Sequence, residues 1–215
     1  MDAYQDRVRK AQQVMGEKGI DYLVLAPSAN MYYLTGLRPV ADERLQIVLV
    51  PDEGLPIAIL SVMYRETALM ETGGKIELLT YPDGSDPVTL VQSVVAKRQG
   101  QAAIDERMWA GHFLDVMKAF PGFSLTSMAT VLKQMRMRKD PMELNLLRLS
   151  GEMTDWVMGE ILSKIKPGLT EKRLSLLIEN KLKEFGAEDL SFRPIIAFAI
   201  TQGFSLGMKR CVSNS

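Results

Sequence analysis

The sequence predicts an α/β domain built on a mixed sheet, followed by a second, helix-rich domain that is short of strands. Three observations carry this expectation. Through the first 135 residues, short apolar runs alternate with helical stretches, as strands and helices do when they are laid down in turn. Two of those runs flank the turn Pro51-Asp52-Glu53-Gly54, which makes at least one hairpin and favours a mixed sheet over an all-parallel one. From residue 136 onward there are two amphipathic helices and one strand-like run, too little sheet to cover their apolar faces.

Each element follows from local pattern. Residues 2–18 read as a helix, with Tyr4, Val8, Ala11, Val14 and Met15 at three- and four-residue steps and Gly19 as its stop. Residues 21–25 are a buried strand; Ser28 then caps a short helix to residue 34, closed by Gly36. Residues 44–50 and 55–60 form the hairpin. Residues 64–71 are a helix, 75–81 a strand, 87–97 a helix, 101–104 a strand, 109–119 a helix, 123–126 a strand and 128–137 a helix. Asp140, Pro141 and Glu143 then set a capping box for a long helix to residue 165, whose expected buried face is Leu144, Leu147, Trp156, Val157, Ile161 and Ile165. Lys166-Pro167-Gly168 ends it, and Thr170 caps a second helix burying Leu174, Leu177, Ile178 and Leu182. Residues 191–198 are the strand-like run. The expected domains are 1–135 and 136–215, with an atypical tail from about 199.

Composition narrows the function. Apolar residues make up 47%, enough for a core, and the 26 basic side chains balance the 26 acidic ones, so no long-range field draws the chain to nucleic acid or anionic membrane. No apolar run approaches the roughly 20 residues of a bilayer span, and the polar start is unlike a secretion signal. Cys211 is the single cysteine, so there is no internal disulfide. These features lead to the expectation of a cytoplasmic protein without a membrane or nucleic-acid partner.

Chemical motifs are sparse. His112 stands alone, on a predicted helix, and an imidazole-based metal site needs further ligands around the ion. Neither a P-loop nor a G-x-S-x-G or G-x-G-x-x-G string occurs. The acidic residues lie among basic neighbours, as on solvated helix faces. The most distinctive string, Asn30-Met31-Tyr32-Tyr33-Leu34-Thr35-Gly36, reads either as a pocket wall or as core packing with a helix C-cap, and the second is favoured. Tyr33 and Phe192 are the two pocket candidates. The fourteen methionines, Met128, Met135 and Met137 among them, are expected to fill core gaps.

Taken together, several strings resemble the creatinase, prolidase and aminopeptidase P family of metallopeptidases. Asn30–Gly36 is similar to the N-Y-L-T/S-G segment after the first strand of that family's N-terminal domain. Arg138-Lys139-Asp140-Pro141-x-Glu143 resembles the start of its catalytic domain, and Ile165-Lys166-Pro167-Gly168-Leu169-Thr170-Glu171 its i-k-p-G-x-T-E turn. Gly186-Ala187 and residues 191–198 resemble the approach to its first catalytic strand. The resemblance implies a ribonuclease-H-like mixed-sheet domain followed by a pita-bread catalytic domain. It also implies Xaa-Pro peptide hydrolysis by two divalent metals (manganese, cobalt or zinc) held by two Asp, one His and two Glu, which activate a bridging hydroxide. Creatinase-like members act on creatine without metals, so membership alone leaves the reaction open.

By this resemblance every metal ligand would follow Phe198. Residues 200–215 match none of that family's strings, and no Asp, Glu or His follows Asp189. The expectations are therefore an incomplete pita-bread domain, no catalytic or metal-ligand residue, no cofactor in this chain, and no peptidase activity by itself. The tail reads as a frameshift, a natural truncation or an artefact, a disrupted gene being the working view. The alternatives are a non-catalytic dimerisation module or a small-molecule-binding α/β module, and the two helices could instead pack on the first domain. Their exposed apolar faces lead to the expectation of a homodimer.

Overall fold

The computed structural model describes residues 3–198, and the chain divides into two compact units after Arg138. In the first unit, α1 (Ala3–Lys18) leads into β1 (Tyr22–Leu25), α2 (Ala29–Thr35), β2 (Ile47–Pro51) and β3 (Ile57–Ser61). A 3₁₀ turn, Val62–Tyr64, runs into α3 (Arg65–Thr72), followed by β4 (Glu77–Tyr81), α4 (Pro87–Val94), β5 (Gly100–Ile104), α5 (Ala110–Ala119), β6 (Phe123–Ser127) and α6 (Ala129–Met137).

The six strands form one mixed sheet in the order β4-β3-β2-β1-β5-β6. β2 runs antiparallel to both β1 and β3, as the Pro/Asp/Gly turn requires, while β1/β5, β5/β6 and β3/β4 are parallel. Successive strand residues point to opposite faces, so β1 supplies two cores. Leu23 and Leu25 join Val48, Val50 and Leu60 under α1, α2 and α6, where Ala11, Met15, Met31, Leu34, Met128 and Val131 are buried. Tyr22 and Val24 join Leu49 and Ile59 on the other face, under Val88 and Val91 of α4 and Val116 of α5.

Two local expectations change here. α4 stops at Val94 rather than at 97, because Val95 turns extended, the Ala96 N–H bonds the Tyr22 hydroxyl, and Lys97 reaches Asp21 and Asp52. Met128 is fully buried and Met135 packs on the core, but Met137, at the last position of α6, is 66% exposed.

The second unit holds α7 (Pro141–Leu162) and α8 (Glu171–Glu184). The capping box forms in full: Asp140 accepts from the Glu143 N–H, and Glu143 accepts from the Asp140 N–H. Thr170 caps α8 by accepting from the Arg173 N–H. Val157, Ile161 and Leu174 make a small core with Leu177, Ile178 and Leu182 against it. Leu144, Leu147, Trp156 and Ile165, expected inside, are exposed: Leu144 and Leu147 lie before the part of α7 that α8 covers, Trp156 meets only the Phe185 ring at the end of α8, and Ile165 lies beyond the end of α7. Residues 191–198 form no strand, and with no strand beside them among the described residues the Phe198 N–H is satisfied by the Glu171 carboxylate instead. Cys211 and the tail from 199 lie outside the described residues. None of the helices described is long and apolar enough to cross a membrane.

Candidate functional site

The topology singles out one place. From β1 the chain proceeds to β2 and β3 on one side, and it later returns to β5 on the other, so the carboxyl ends of β1 and β5 flank the point where the strand order reverses. In open α/β sheets such a point is the usual crevice for a ligand. Here it is filled by side chains. β5 ends at Ile104, and Asp105 follows, only 2% exposed. Its carboxylate accepts from Ser28 Oγ at 2.5 Å, Asn30 Nδ2 at 3.4 Å and the Arg107 N–H at 3.0 Å. Ser28 in turn caps α2, accepting from the Asn30 and Met31 N–H groups. Asn30 Oδ1 accepts from the Arg136 guanidinium at 2.6 Å. One chain of bonds thus ties β5, the start of α2 and the end of α6.

The rest of the string takes its place around that network. Arg7 stands 4.4 Å and Arg136 5.8 Å from the Tyr33 ring centre, and Arg7 Nη1 donates to the Tyr33 carbonyl. Tyr32 packs edge-on to Tyr4, with Arg38 over its face and bonded to its hydroxyl. Burial first, and the Tyr32 contact second, push the Tyr4 phenol up to about 12. Gly36 closes α2 with φ 79°, and a Cβ there would sit 3.1 Å from the Tyr4 ring. Tyr33 is therefore half-buried beneath cations. Phe192, the other candidate, is 71% exposed in the second unit. An open cleft of about 390 Å³ beside Asp105 is lined by Ile104, Met108, Phe113, Leu125 and Glu106, and neither candidate borders it.

A second polar cluster holds the segment between α2 and β2. Asp42 accepts from the Tyr64 hydroxyl, the Gln46 amide and the Arg44 N–H, and Arg44 grips Asp83. Burial works to raise the Asp42 pKa, but these donors outweigh it and hold the carboxyl below its usual range. Of all these groups, Asp105, Arg136, Arg7, Asp42 and Tyr64 were not singled out from sequence. Asp105 carried one usable signal, a carboxylate directly after an apolar run.

The donor set does not fit a dinuclear metal centre. Among the described residues no group of three or more His, Cys, Asp or Glu could hold an ion. The carboxylates that approach one another are already committed, as where Asp21 and Asp52 share Lys97. His112 stacks on Trp109 and faces the Glu43 carbonyl at 3.4 Å.

Comparison with known proteins covers both units. Residues 7–138 match the Creatinase/Prolidase N-terminal domain, and residues 145–206 match Metallopeptidase family M24. The likeness therefore runs past Phe198, where the sequence strings alone placed its end. A prolidase structure from Thermococcus sibiricus is 33% identical with a TM-score of 0.83, over 91% of this chain and 53% of that one. A dipeptidase structure from Pyrococcus horikoshii is 28% identical with a TM-score of 0.79, over 88% and 52%. A probable dipeptidase, PepE, from Mycobacterium tuberculosis is 27% identical over 195 residues, 89% of this chain and 51% of the relative. The chain thus spans about half the length of the curated relatives it matches.

Proposed function

The chain belongs to the family of the Creatinase/Prolidase N-terminal domain, with Metallopeptidase family M24 following it, and on that footing we propose that it is the N-terminal part of a Xaa-Pro dipeptidase-like architecture. The observation that carries the reading is the order of the two matches, 7–138 and then 145–206, together with the 33% identity to a prolidase across both units. The role of these residues is scaffolding: the mixed-sheet unit presents the Asn30–Gly36 segment, locked by Asp105 and Arg136, and α7 and α8 begin the catalytic domain.

The 215-residue polypeptide by itself is proposed to be inactive on Xaa-Pro peptides. Its described carboxylates and its lone His112 are dispersed or paired, and no Asp, Glu or His follows Asp189 to complete a metal site. Two assays test this. The purified polypeptide, given a Xaa-Pro dipeptide with manganese or cobalt, is expected to show no turnover; turnover that rises with added metal overturns the inactivity. A chimera carrying this chain in place of the matching half of the Thermococcus sibiricus prolidase is expected to fold and cleave the same dipeptide. A folded but inert chimera, loaded with metal, overturns the peptidase reading. The phenylalanine at 192 and Tyr33 are kept as proposed contacts in that context, and loss of affinity rather than of turnover on Phe192→Ala supports the first.

A further inference from the structure

β5 and β6 are parallel neighbours, and beyond their carboxyl ends lies the cleft of about 390 Å³ that the network around Asp105 leaves unfilled. Its volume falls near the lower end of the roughly 300–1,000 Å³ typical of small-molecule sites. Two chemistries meet in it, both supplied by the first unit. Ile104, Met108, Phe113 of α5 and Leu125 of β6 give it an apolar wall, and the last three are only half-buried, so part of their surface stays uncovered. Asp105 and Glu106 give it an acidic one.

Glu106 is held in place yet keeps acceptor capacity. Its Oε1 accepts from the Ser127 hydroxyl and, at 2.8 Å, from the Ala129 N–H, while Oε2 accepts from no other residue among the described ones. Burial works to raise the Glu106 pKa, but those two bonds outweigh it and hold the carboxyl below its usual range, so the group is an anion at neutral pH. Thr126 lines the same cleft, and its hydroxyl has no hydrogen-bond partner among the described residues. No Lys or Arg is among the lining residues; Arg107, next in sequence, gives Asp105 only its backbone N–H. A cleft that is apolar on one wall and anionic on the other is complementary to a cation with an apolar body, and it repels a further carboxylate.

We propose that the cleft at the ends of β5 and β6 binds a small organic amine, its ammonium group held by Glu106 and the Thr126 hydroxyl and its single ring or branched chain lying against Met108, Phe113 and Leu125. A free amino acid or a dipeptide fits poorly, because its own carboxylate meets Asp105 and Glu106 with no basic side chain in the lining to receive it. The cleft is open and Glu106 is exposed, so the affinity lies in the millimolar range and the charge contributes only a small factor to it. The proposal goes beyond the peptidase reading and is independent of it, since one is decided by binding and the other by turnover in the chimera.

Titration of the isotope-labelled full chain with phenethylamine, followed by amide chemical shifts, decides it. Saturable shifts are expected at residues 104–108, at 113 and at 125–127, with a midpoint in the millimolar range. Phenethyl alcohol, which lacks the charge, and free phenylalanine, which adds a carboxylate, are each expected to bind about threefold to fivefold more weakly or not at all. Glu106→Gln keeps an acceptor for the Ala129 N–H; it is expected to weaken phenethylamine by about the same factor and to leave phenethyl alcohol unchanged. The amide spectrum of the variant shows whether it is folded, and if it is not, the comparison of the three compounds on the wild type decides the matter. Shifts that do not saturate, or that spread over acidic residues away from the cleft, overturn the proposal. So does an alcohol or an amino acid that binds as well as the amine, or a folded Glu106→Gln variant that binds the amine undiminished.

Discussion

Removing the Asp105 carboxylate tests the network at the strand crossover most directly. Asp105→Ala deletes the acceptor for three donors, Ser28 Oγ, Asn30 Nδ2 and the Arg107 N–H, around a residue that is almost wholly buried. A net hydrogen bond contributes about 1 kcal/mol, and one to a charged group somewhat more. Three such bonds, partly offset because Ser28 keeps its bonds within α2 and Asn30 its bond to Arg136, amount to a loss of about 3 kcal/mol. The two tryptophans divide between the units, Trp109 in the first and Trp156 in the second, so urea unfolding followed by fluorescence in a Trp156→Phe background reports the first unit alone. With an m-value of roughly 2 kcal/mol/M, the midpoint falls by about 1.5 M. Asp105→Asn keeps one acceptor oxygen and is expected to lose about half as much. A loss below about 1 kcal/mol for the alanine variant, at unchanged m-value, refutes the network as a structural tie.

Gly36→Ala is expected to destabilise the first unit by about 1–2 kcal/mol, since φ is 79° and the new Cβ meets the Tyr4 ring; the same fluorescence titration measures it. Gly151→Ala is expected to raise the stability of the second unit, read through Trp156, by about 0.5–1 kcal/mol, because an exposed mid-helix glycine gains from a methyl that meets nothing within 4 Å. Acid sensitivity follows from sign. Burial raises the Asp21, Asp42 and Glu106 pKa values, but the hydrogen bonds each accepts outweigh it, so all three carboxyls lie below their ordinary range in the folded chain. Their contribution is therefore complete above the unfolded carboxylate pKa near 4 and is lost as pH falls through the lower folded values. A pH series of urea midpoints shows this decline, and Asp42→Asn flattens it; a decline of equal steepness in that variant counts against the assignment.

What could be read beforehand, and what could not, separates along physical lines. The first unit announced itself because its strands are buried on both faces and its turns carry Pro, Asp and Gly at positions where only those residues are comfortable: the hairpin about 51–54, the Ser28 cap and the Gly36 stop all form as the local chemistry requires. Local chemistry also fixed the capping box at Asp140. The Asn30 string was read as core packing with a C-cap, and Met31, Leu34 and Gly36 play those parts, but its polar partners could not be found the same way. Asp105 meets Ser28 and Asn30 across 77 and 75 residues of chain, and Arg136 meets Asn30 across 106, distances over which no periodicity speaks. The errors in α7 have the opposite origin. Periodicity correctly marked its apolar positions, but it does not say what covers them, and the whole apolar stripe was assigned to the buried face. Val157 and Ile161 met α8, while Leu144 and Leu147 did not. Leu144, Leu147, Trp156 and Ile165 were expected inside and are exposed. An apolar pattern in sequence records that a side chain has a neighbour; identifying the neighbour takes the three-dimensional count of which faces are already occupied.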